Sequence, residues 1–225
     1  MTASPGISEH SNELLSTTVK RLLLDRIMSG QYEPGGRIVE LQLAKELGMS
    51  QSPIREALRD LAAAGVITIH PRRGARVRMP SAKELADVSI VRAEIDALAA
   101  RLTAGVMSES TLASLQDLVD AMLASLGSGD FLAVTEADVQ FHRVIAQTAG
   151  NQAVVSAFDH LAPFGRTFIT LNLPNVDVRD LLQEHVGILD ALRDGDAERA
   201  SKAAREHQLN VSKLIQDHYQ PKEVG

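Results

Sequence analysis

Three histidines and an aspartate hold the side chains of this chain best suited to coordination chemistry. Asp138 and His142 stand four residues apart, so on a helix they share one face, together with Val134, Phe141 and Ile145. His185 recurs at helical spacing with Leu181, Ile188, Leu189 and Leu192, and His207 with Ala203, Ala204, Val211 and Leu214. Asn210 borders the His207 stripe and makes it less purely apolar than the other two. Taken singly, each histidine reads more readily as a satisfied core residue than as a ligand. Taken together, three imidazoles and a carboxylate in one core are costly without a common partner, and a divalent ion is such a partner. Imidazole nitrogens suit zinc, nickel, copper or iron, and the carboxylate balances charge. Spacing alone leaves both readings open.

Arginines form the second group. Arg72, Arg73, Arg76 and Arg78 fall within seven residues, around the turn sequence Pro71-Arg72-Arg73-Gly74. Such a cationic tip suits phosphates or a narrow minor groove, although an isolated charge run would read as a solvated face. Arg92 shares a helical face with Val88, Ile95 and Ala99, where a guanidinium needs an anionic partner. It either snorkels at the edge of its helix packing or grips a ligand carboxylate bidentately.

The elements that position these groups follow from periodicity. Leu15, Val19, Leu22, Leu23, Ile27 and Met28 predict a first helix from about 14 to 29, after a polar tail over residues 1–13 that is expected to be disordered. Gly30 stops that helix, and Pro34-Gly35-Gly36 turns the chain into a short strand near Arg37-Ile38-Val39. Leu41, Leu43, Ala44 and Leu47 give a short helix ending at Gly48. A second helix runs from about Ser52 to Ala64, with Ser50 or Ser52 as its cap, Pro53 in its first turn and Glu56 within reach of the cap. Ile54, Ala57, Leu58 and Leu61 face inward there, and Gln51, Ser52, Arg55 and Arg59 outward. Two short helices joined by a tight turn make a helix-turn-helix, whose second helix meets base edges in the major groove. Val66 to Ile69 and Ala75 to Met79 then read as a hairpin with the arginines at its tip, a wing beside the helices.

Pro80 and the possible cap Ser81 mark a boundary. Beyond it the sequence predicts helices at about 82 to 104, 109 to 126, 130 to 148, 151 to 172, 177 to 193 and 196 to 218, with Pro163 kinking or splitting the fourth. The fold class expected is mainly α: a tail over 1–13, a winged helix-turn-helix domain over 14–79, and an all-helical bundle over 80–220 that binds a ligand and dimerises.

Charge divides along the same line. Residues 1–80 hold eleven Lys and Arg against eight Asp and Glu, while residues 81–225 hold twelve against twenty-one. Only the N-terminal part is basic, which reconciles an overall net charge of −6 with a nucleic-acid partner. The chain has no cysteine, which removes disulfides and thiolate metal sites and fits a reducing compartment. No segment approaches about 18 uninterrupted apolar residues, so the expectation is a cytoplasmic protein without a membrane span.

The block from about 15 to 79 resembles the winged-helix domain of the GntR family of bacterial transcription regulators, above all in Ser50-Gln51-Ser52-Pro53-Ile54-Arg55-Glu56-Ala57-Leu58. Gln51 stands where many relatives carry Arg, and Leu41 where some do; a Gln amide can still read adenine, so operator preference is expected to differ. Asp138-Val139-Gln140-Phe141-His142, Gly150-Asn151, His185 with Ile188, Asp194-Gly195-Asp196 and His207 are similar to the helical effector domain of the FadR-type branch. Ile95 and Asp96 stand where relatives often have Leu and Glu. The resemblance implies a divalent metal, zinc first with nickel or iron as alternatives, held by Asp138, His142, His185 and His207. It also implies an arginine reaching into a cavity, here Arg92 with Arg166 as second candidate. His10, His70, His160 and His218 fall outside the pattern.

The resulting expectation is a regulator that binds a short palindromic operator in double-stranded DNA as a homodimer. Gln51, Ser52, Arg55, Arg72, Arg73 and Gly74 would meet the DNA, and a small carboxylate effector would be sensed through the metal-centred pocket. Two alternatives compete: a sensor whose effector is the metal itself, and a metal-dependent hydrolase. For the hydrolase, Glu184 is the conceivable general base, but it lies about 100° around the helix from its neighbour His185.

Overall fold

The computed structural model describes residues 5–71, 73–172 and 177–219, and among them the side chains of all but residues 5–13 and 163–172. The chain divides into two compact units between Met79 and Pro80.

The N-terminal unit is built from α1 (Pro5–Met28), β1 (Arg37–Ile38), α2 (Glu40–Leu47), α3 (Gln51–Ala63), β2 (Ile67–His70) and β3 (Gly74–Val77). Val19, Leu23 and Ile27, one turn apart on α1, are buried with Leu43 of α2, Ile54, Ala57 and Leu61 of α3 and Ile67, Ala75 and Val77 of the hairpin. Gly48 ends α2 in the left-handed conformation (φ 63°), and its N–H bonds the Ala44 carbonyl, which lets the chain turn at once into α3. The three strands form an antiparallel sheet in the order β1-β3-β2, with Arg37 opposite Arg76 and Ile38 opposite Ala75. Gly74 is required at the hairpin, because its φ is +81° and a Cβ would stand 3.0 Å from the Ile38 carbonyl oxygen.

The local expectations shift in three places. Helix α1 begins at Pro5, so residues 5–13 are helical where a disordered tail is expected. Proline is tolerated in a first turn, and extending a helix already nucleated by the buried Val19, Leu23 and Ile27 face adds residues without a new nucleus. Ser50 occupies the cap position of α3 with extended backbone, but neither it nor Ser52 makes the expected cap bond. Pro163 does not split its helix, which is assigned continuously from Gln152 to Asn172.

The second unit is helical among its described residues: α4 (Ala82–Thr103), α5 (Glu109–Ser128), α6 (Phe131–Thr148), α7 (Gln152–Asn172), α8 (Arg179–Arg193) and α9 (Ala197–His218). A full capping box starts α4, with Ser81 accepting from the Glu84 N–H and Glu84 accepting from the Ser81 N–H at 2.9 Å. Asp130 and Asp196 cap α6 and α9 through the Ala133 and Arg199 N–H groups, both at 3.0 Å. Leu115, Val119 and Met122 of α5, Phe141 and Ile145 of α6, Phe158 of α7 and Ile188, Leu189 and Leu192 of α8 fill one core with Ala99 and Ala100 of α4. Helix α9 lies along α4, where small residues (Ala86, Ala93, Ala97, Ala200, Ala204) are buried. Ser212 donates to the Ala86 carbonyl at 3.2 Å, and the Tyr219 hydroxyl to the Pro80 carbonyl at 2.9 Å. Burial, with the charge of Glu84, pushes the Tyr219 hydroxyl up to about 12, so it remains a donor.

Candidate functional site

Helices α6, α8 and α9 bring Asp138, His142, His185 and His207 together, with one ligand atom from each lying within 4.8 Å of all the others. The imidazoles are buried, His142 at 3%, His185 at 0% and His207 at 2% exposure. The Asp138 side chain keeps 26% exposure, because it lines a cavity. Ring packing fixes the cluster: Phe141 meets His185 edge-on at 4.9 Å and His142 stacks on His207 at 5.2 Å.

Each histidine is held by a different partner at Nδ1. His142 Nδ1 lies 3.4 Å from Asp96 Oδ2, His185 Nδ1 lies 3.1 Å from the Leu182 carbonyl oxygen, and His207 Nδ1 lies 2.9 Å from Glu184 Oε2. All three partners can accept, so a neutral ring that donates to its partner from Nδ1 presents the Nε2 lone pair. That tautomer is the one an imidazole ligand adopts when an acceptor orients it from behind. The Nε2 atoms of His142 and His185 then face each other at 3.3 Å, and His185 Nε2 lies 3.1 Å from Asp138 Oδ1. Lone pairs and a carboxylate aimed at one point repel each other unless a cation stands among them. The donor set therefore fits a divalent ion, with an imidazole-rich, borderline character that suits zinc, nickel or iron.

Burial and the mutual contacts of these groups set their charge states. Burial, reinforced by Arg92 and the neighbouring rings and opposed by Asp138, holds His142 well below its ordinary value. Burial lowers His207 too, against the opposing pull of Glu184. Burial alone would push the Asp138 carboxyl up, but a hydrogen bond with His185 and the positive charge of the three rings when they are protonated outweigh it and hold the group far below the carboxylate range. Around neutral pH these two imidazoles are neutral and Asp138 is charged, the protonation states that coordination requires.

Arg92 of α4 is buried as well, at 6% exposure. Its Nη2 donates to Asp96 at 3.0 Å, and its guanidinium carbon lies 5.2 Å from the centre of the Phe158 ring. Burial raises the Asp96 carboxyl, and Arg92 counters that rise. One cavity, partly open to solvent, is lined by Arg92, Asp138, His207 and Gln208 among apolar side chains such as Phe131, Val134 and Leu181.

Two functional neighbours escape a reading by periodicity. Asp96 bridges Arg92 and His142, and only its spacing from Arg92, four residues on one helix face, points to it. Glu184, conceivable as a hydrolytic base, is instead committed to His207 Nδ1 and to the Asn210 amide, which donates to it at 2.7 Å. The Arg166 side chain lies outside the described side chains, as does that of His10. His70, His160 and His218 are exposed.

In the N-terminal unit, Ser52, Arg55 and Arg59 lie exposed along α3, Gln51 is half-buried, and Arg73 is exposed at the hairpin. Arg72 lies outside the described residues. Arg55 is already engaged: its Nη2 donates to Gln51 Oε1 at 2.7 Å, and its Nε lies 2.7 Å from Glu40 Oε1. Arg76 donates to the Gly35 carbonyl at 2.8 Å.

Comparison with known proteins assigns both units. Residues 15–77 match the model of the bacterial regulatory proteins of the gntR family, and residues 87–210 match the FCD domain. The chain is 30% identical over 201 residues to a Paenarthrobacter nicotinovorans protein named "Probable D-xylose utilization operon transcriptional repressor", covering 88% of each chain. It is 25% identical to the HTH-type transcriptional repressor RspR of Escherichia coli strain K12, covering 88% of this chain and 87% of that protein. Among solved structures, a GntR transcriptional regulator from Rhodococcus sp. RHA1 superposes with a TM-score of 0.76 at 22% identity, over 91% of this chain and 99% of the other. E. coli McbR/YncC superposes with a TM-score of 0.75 at 21% identity, over 90% and 97% of the two chains. This mainly helical chain, a helix-turn-helix unit with a small stranded wing joined to an all-helical unit, belongs to the GntR family of bacterial transcription regulators, in the branch that carries an FCD effector domain.

Proposed function

We propose that the protein regulates transcription in response to a small organic acid, which binds between Arg92 and a divalent ion held by Asp138, His142, His185 and His207. The observation that carries this reading is the set of Nδ1 partners: three acceptors behind three histidines leave three Nε2 lone pairs and a carboxylate aimed at one point beside the cavity. When bound, the ion would supply a Lewis-acidic centre with positions open to an effector oxygen. The chain's own residues do the rest. Asp96, Leu182 and Glu184 hold the imidazoles in the coordinating tautomer, and Arg92 faces the cavity with a guanidinium fixed by Asp96 and Phe158. The apolar lining excludes water around the acid and strengthens its charge-assisted contacts.

On the DNA side, Gln51, Ser52 and Arg55 at the start of α3 would read bases, and the arginines of the hairpin would add phosphate or minor-groove affinity. A homodimer would present two such helices to a palindromic site. No described helix is long and apolar enough to cross a membrane.

The test uses purified full-length protein. His185→Ala is expected to lower zinc content strongly after dialysis against the metal, whereas His160→Ala, at an exposed position, is expected to leave it at one ion per chain. Equal metal content in the two variants refutes the site. Operator affinity of the zinc-loaded parent, measured with and without a panel of small carboxylates, then tests the response: a shift with metal alone and none with any acid would make the metal the effector.

A further inference from the structure

Buried residues of α9 recur at intervals of four along one stripe: His207, Val211, Ile215 and Tyr219, at 2%, 9%, 0% and 6% exposure. The stripe starts at a candidate metal ligand and ends, about 18 Å further along the helix, at a phenol. Side chains tie α9 to α4 and to the residues just ahead of it. Arg205 grips Glu94 through Nε and Nη2, both at 2.8 Å, Ser212 donates to the Ala86 carbonyl at 3.2 Å, and Tyr219 donates to the Pro80 carbonyl at 2.9 Å. The acceptors fall in number as the donors rise, so the two helices run antiparallel and the stripe leads back toward the start of the unit.

The tie at Tyr219 differs in kind from the one at Ser212. The Ala86 carbonyl lies inside α4, where the helix supplies a donor of its own. Pro80 has no N–H, and its carbonyl stands ahead of the helix bond from the Leu85 N–H to the Ser81 carbonyl at 3.2 Å. Pro80 is buried, where an unpaired carbonyl is costly, and the Tyr219 hydroxyl supplies the donor. The second unit begins at this same residue. A single hydroxyl on α9 therefore holds the point from which α4 is launched.

We propose that Tyr219 is a strap that fastens the Pro80 junction to α9, so that occupation of the metal site at His207 is passed along α9 to the point where the helical unit begins. The strap itself stands on the hydrogen bonds; its coupling to His207 rests on the metal site proposed above. Close packing supports the coupling. Ala86, Ala93 and Ala97 of α4 and Ala200 and Ala204 of α9 are buried, and an interface closed on such small side chains transmits a displacement instead of absorbing it.

The experiment follows amide hydrogen exchange by mass spectrometry in full-length protein, first stripped of metal and then loaded with zinc, for the parent, Tyr219→Phe and Ser212→Ala. Tyr219→Phe keeps the ring and removes only the hydroxyl. In the parent, zinc is expected to slow exchange in the junction peptide over residues 79–86 by about threefold or more. In Tyr219→Phe that peptide is expected to exchange about threefold or more faster than the parent's before zinc and to ignore zinc, while zinc content and exchange in the α5 core stay at the parent's level. Ser212→Ala, which loses a bond from the same helix pair, is expected to keep the zinc response. Equal metal-free exchange in the parent and Tyr219→Phe overturns the strap. A junction that responds to zinc in Tyr219→Phe as in the parent overturns the coupling, and a response lost equally in Ser212→Ala removes any special role for Tyr219. If the parent takes up zinc and its junction ignores it, the metal site stands and only the coupling falls. If the parent takes up no zinc, the metal site and the coupling fall together, and the metal-free comparison still decides the strap.

Discussion

An imidazole ligates through a nitrogen that has lost its proton, so the chemistry of the cluster is set by what sits behind each ring. Asp96, the Leu182 carbonyl and Glu184 take the Nδ1 positions of His142, His185 and His207. The burial that prepares the site also makes it sensitive to acid. His142 and His207 titrate below their ordinary 6.5 in the folded protein. Between that value and the lowered ones the unfolded chain binds more protons than the folded one, so stability falls as pH drops below about 6.5 and is unaffected by these two groups above it. Inside the window each group contributes a loss of up to about 1.4 kcal/mol per pH unit. Asp138, lowered from 3.8, adds a further loss only below that value, whereas the raised Asp96 contributes with the opposite sign. Thermal melts of metal-stripped protein between pH 7.5 and 5.5 should therefore show a falling midpoint, flatter in His142→Gln. A midpoint independent of pH over that range would mean the two rings are not held neutral by the fold.

Among the elements, α3 and α4 carry the clearest consequences. Arg55 of α3 is positioned before any DNA arrives, since Glu40 at the start of α2 and Gln51 one turn back both hold it. A side chain ordered in advance loses less entropy on binding. Arg55→Ala should cost about 1–3 kcal/mol of operator affinity and relax discrimination at one base position, while Arg73→Ala should weaken operator and random DNA alike and flatten the salt dependence. Competition binding at several salt concentrations distinguishes these outcomes; an Arg55→Ala variant with unchanged affinity for both DNAs would remove α3 from base readout. For α4 the capping box is the vulnerable point. Ser81→Ala removes the acceptor for the Glu84 N–H and should lower the urea stability of the helical unit by about 1 kcal/mol, with metal content unchanged.

The whole molecule matters because Pro80, the first residue of the second unit, follows directly on the hairpin, and α4 begins two residues later. Helix α4 also carries Arg92 and Asp96, so an acid that engages the guanidinium acts on the helix through which the two units are joined in sequence. The coupling needed is small: a tenfold change in operator affinity corresponds to about 1.4 kcal/mol. Linkage makes it reciprocal, so operator DNA must change acid affinity by the same factor. Arg92→Ala is expected to abolish the acid response of operator binding in the intact protein while keeping its metal and its acid-free DNA affinity. A variant that still responds as the parent does would move the anchor elsewhere, with Arg166 the next residue to substitute.

Local chemistry was enough to mark the elements. Apolar spacing, Gly48, Pro53, Ser81 and the Pro71–Gly74 turn set helix and strand positions to within a residue or two over most of the chain, because each signal acts within one or two turns of backbone. The same periodicity placed Asp138, His142, His185 and His207 on inward faces, since which face a residue occupies is a property of its own helix. It could not say that the faces of α6, α8 and α9 converge, nor decide between separate core histidines and one cluster. That convergence depends on how three helices pack, and only the folded unit brings Nε2 of His142 within 3.3 Å of Nε2 of His185 across a separation of 43 residues. The cross-helix partners of Asp96 and Glu184 were illegible for the same reason. A carboxylate on a helix has no meaning in sequence until a neighbour is assigned, and their neighbours, His142 and His207, come from other helices. Sequence determined what each helix could present; tertiary packing decided which of those groups meet, because hydrogen bonds and coordination act over about 3 Å and are blind to distance along the chain.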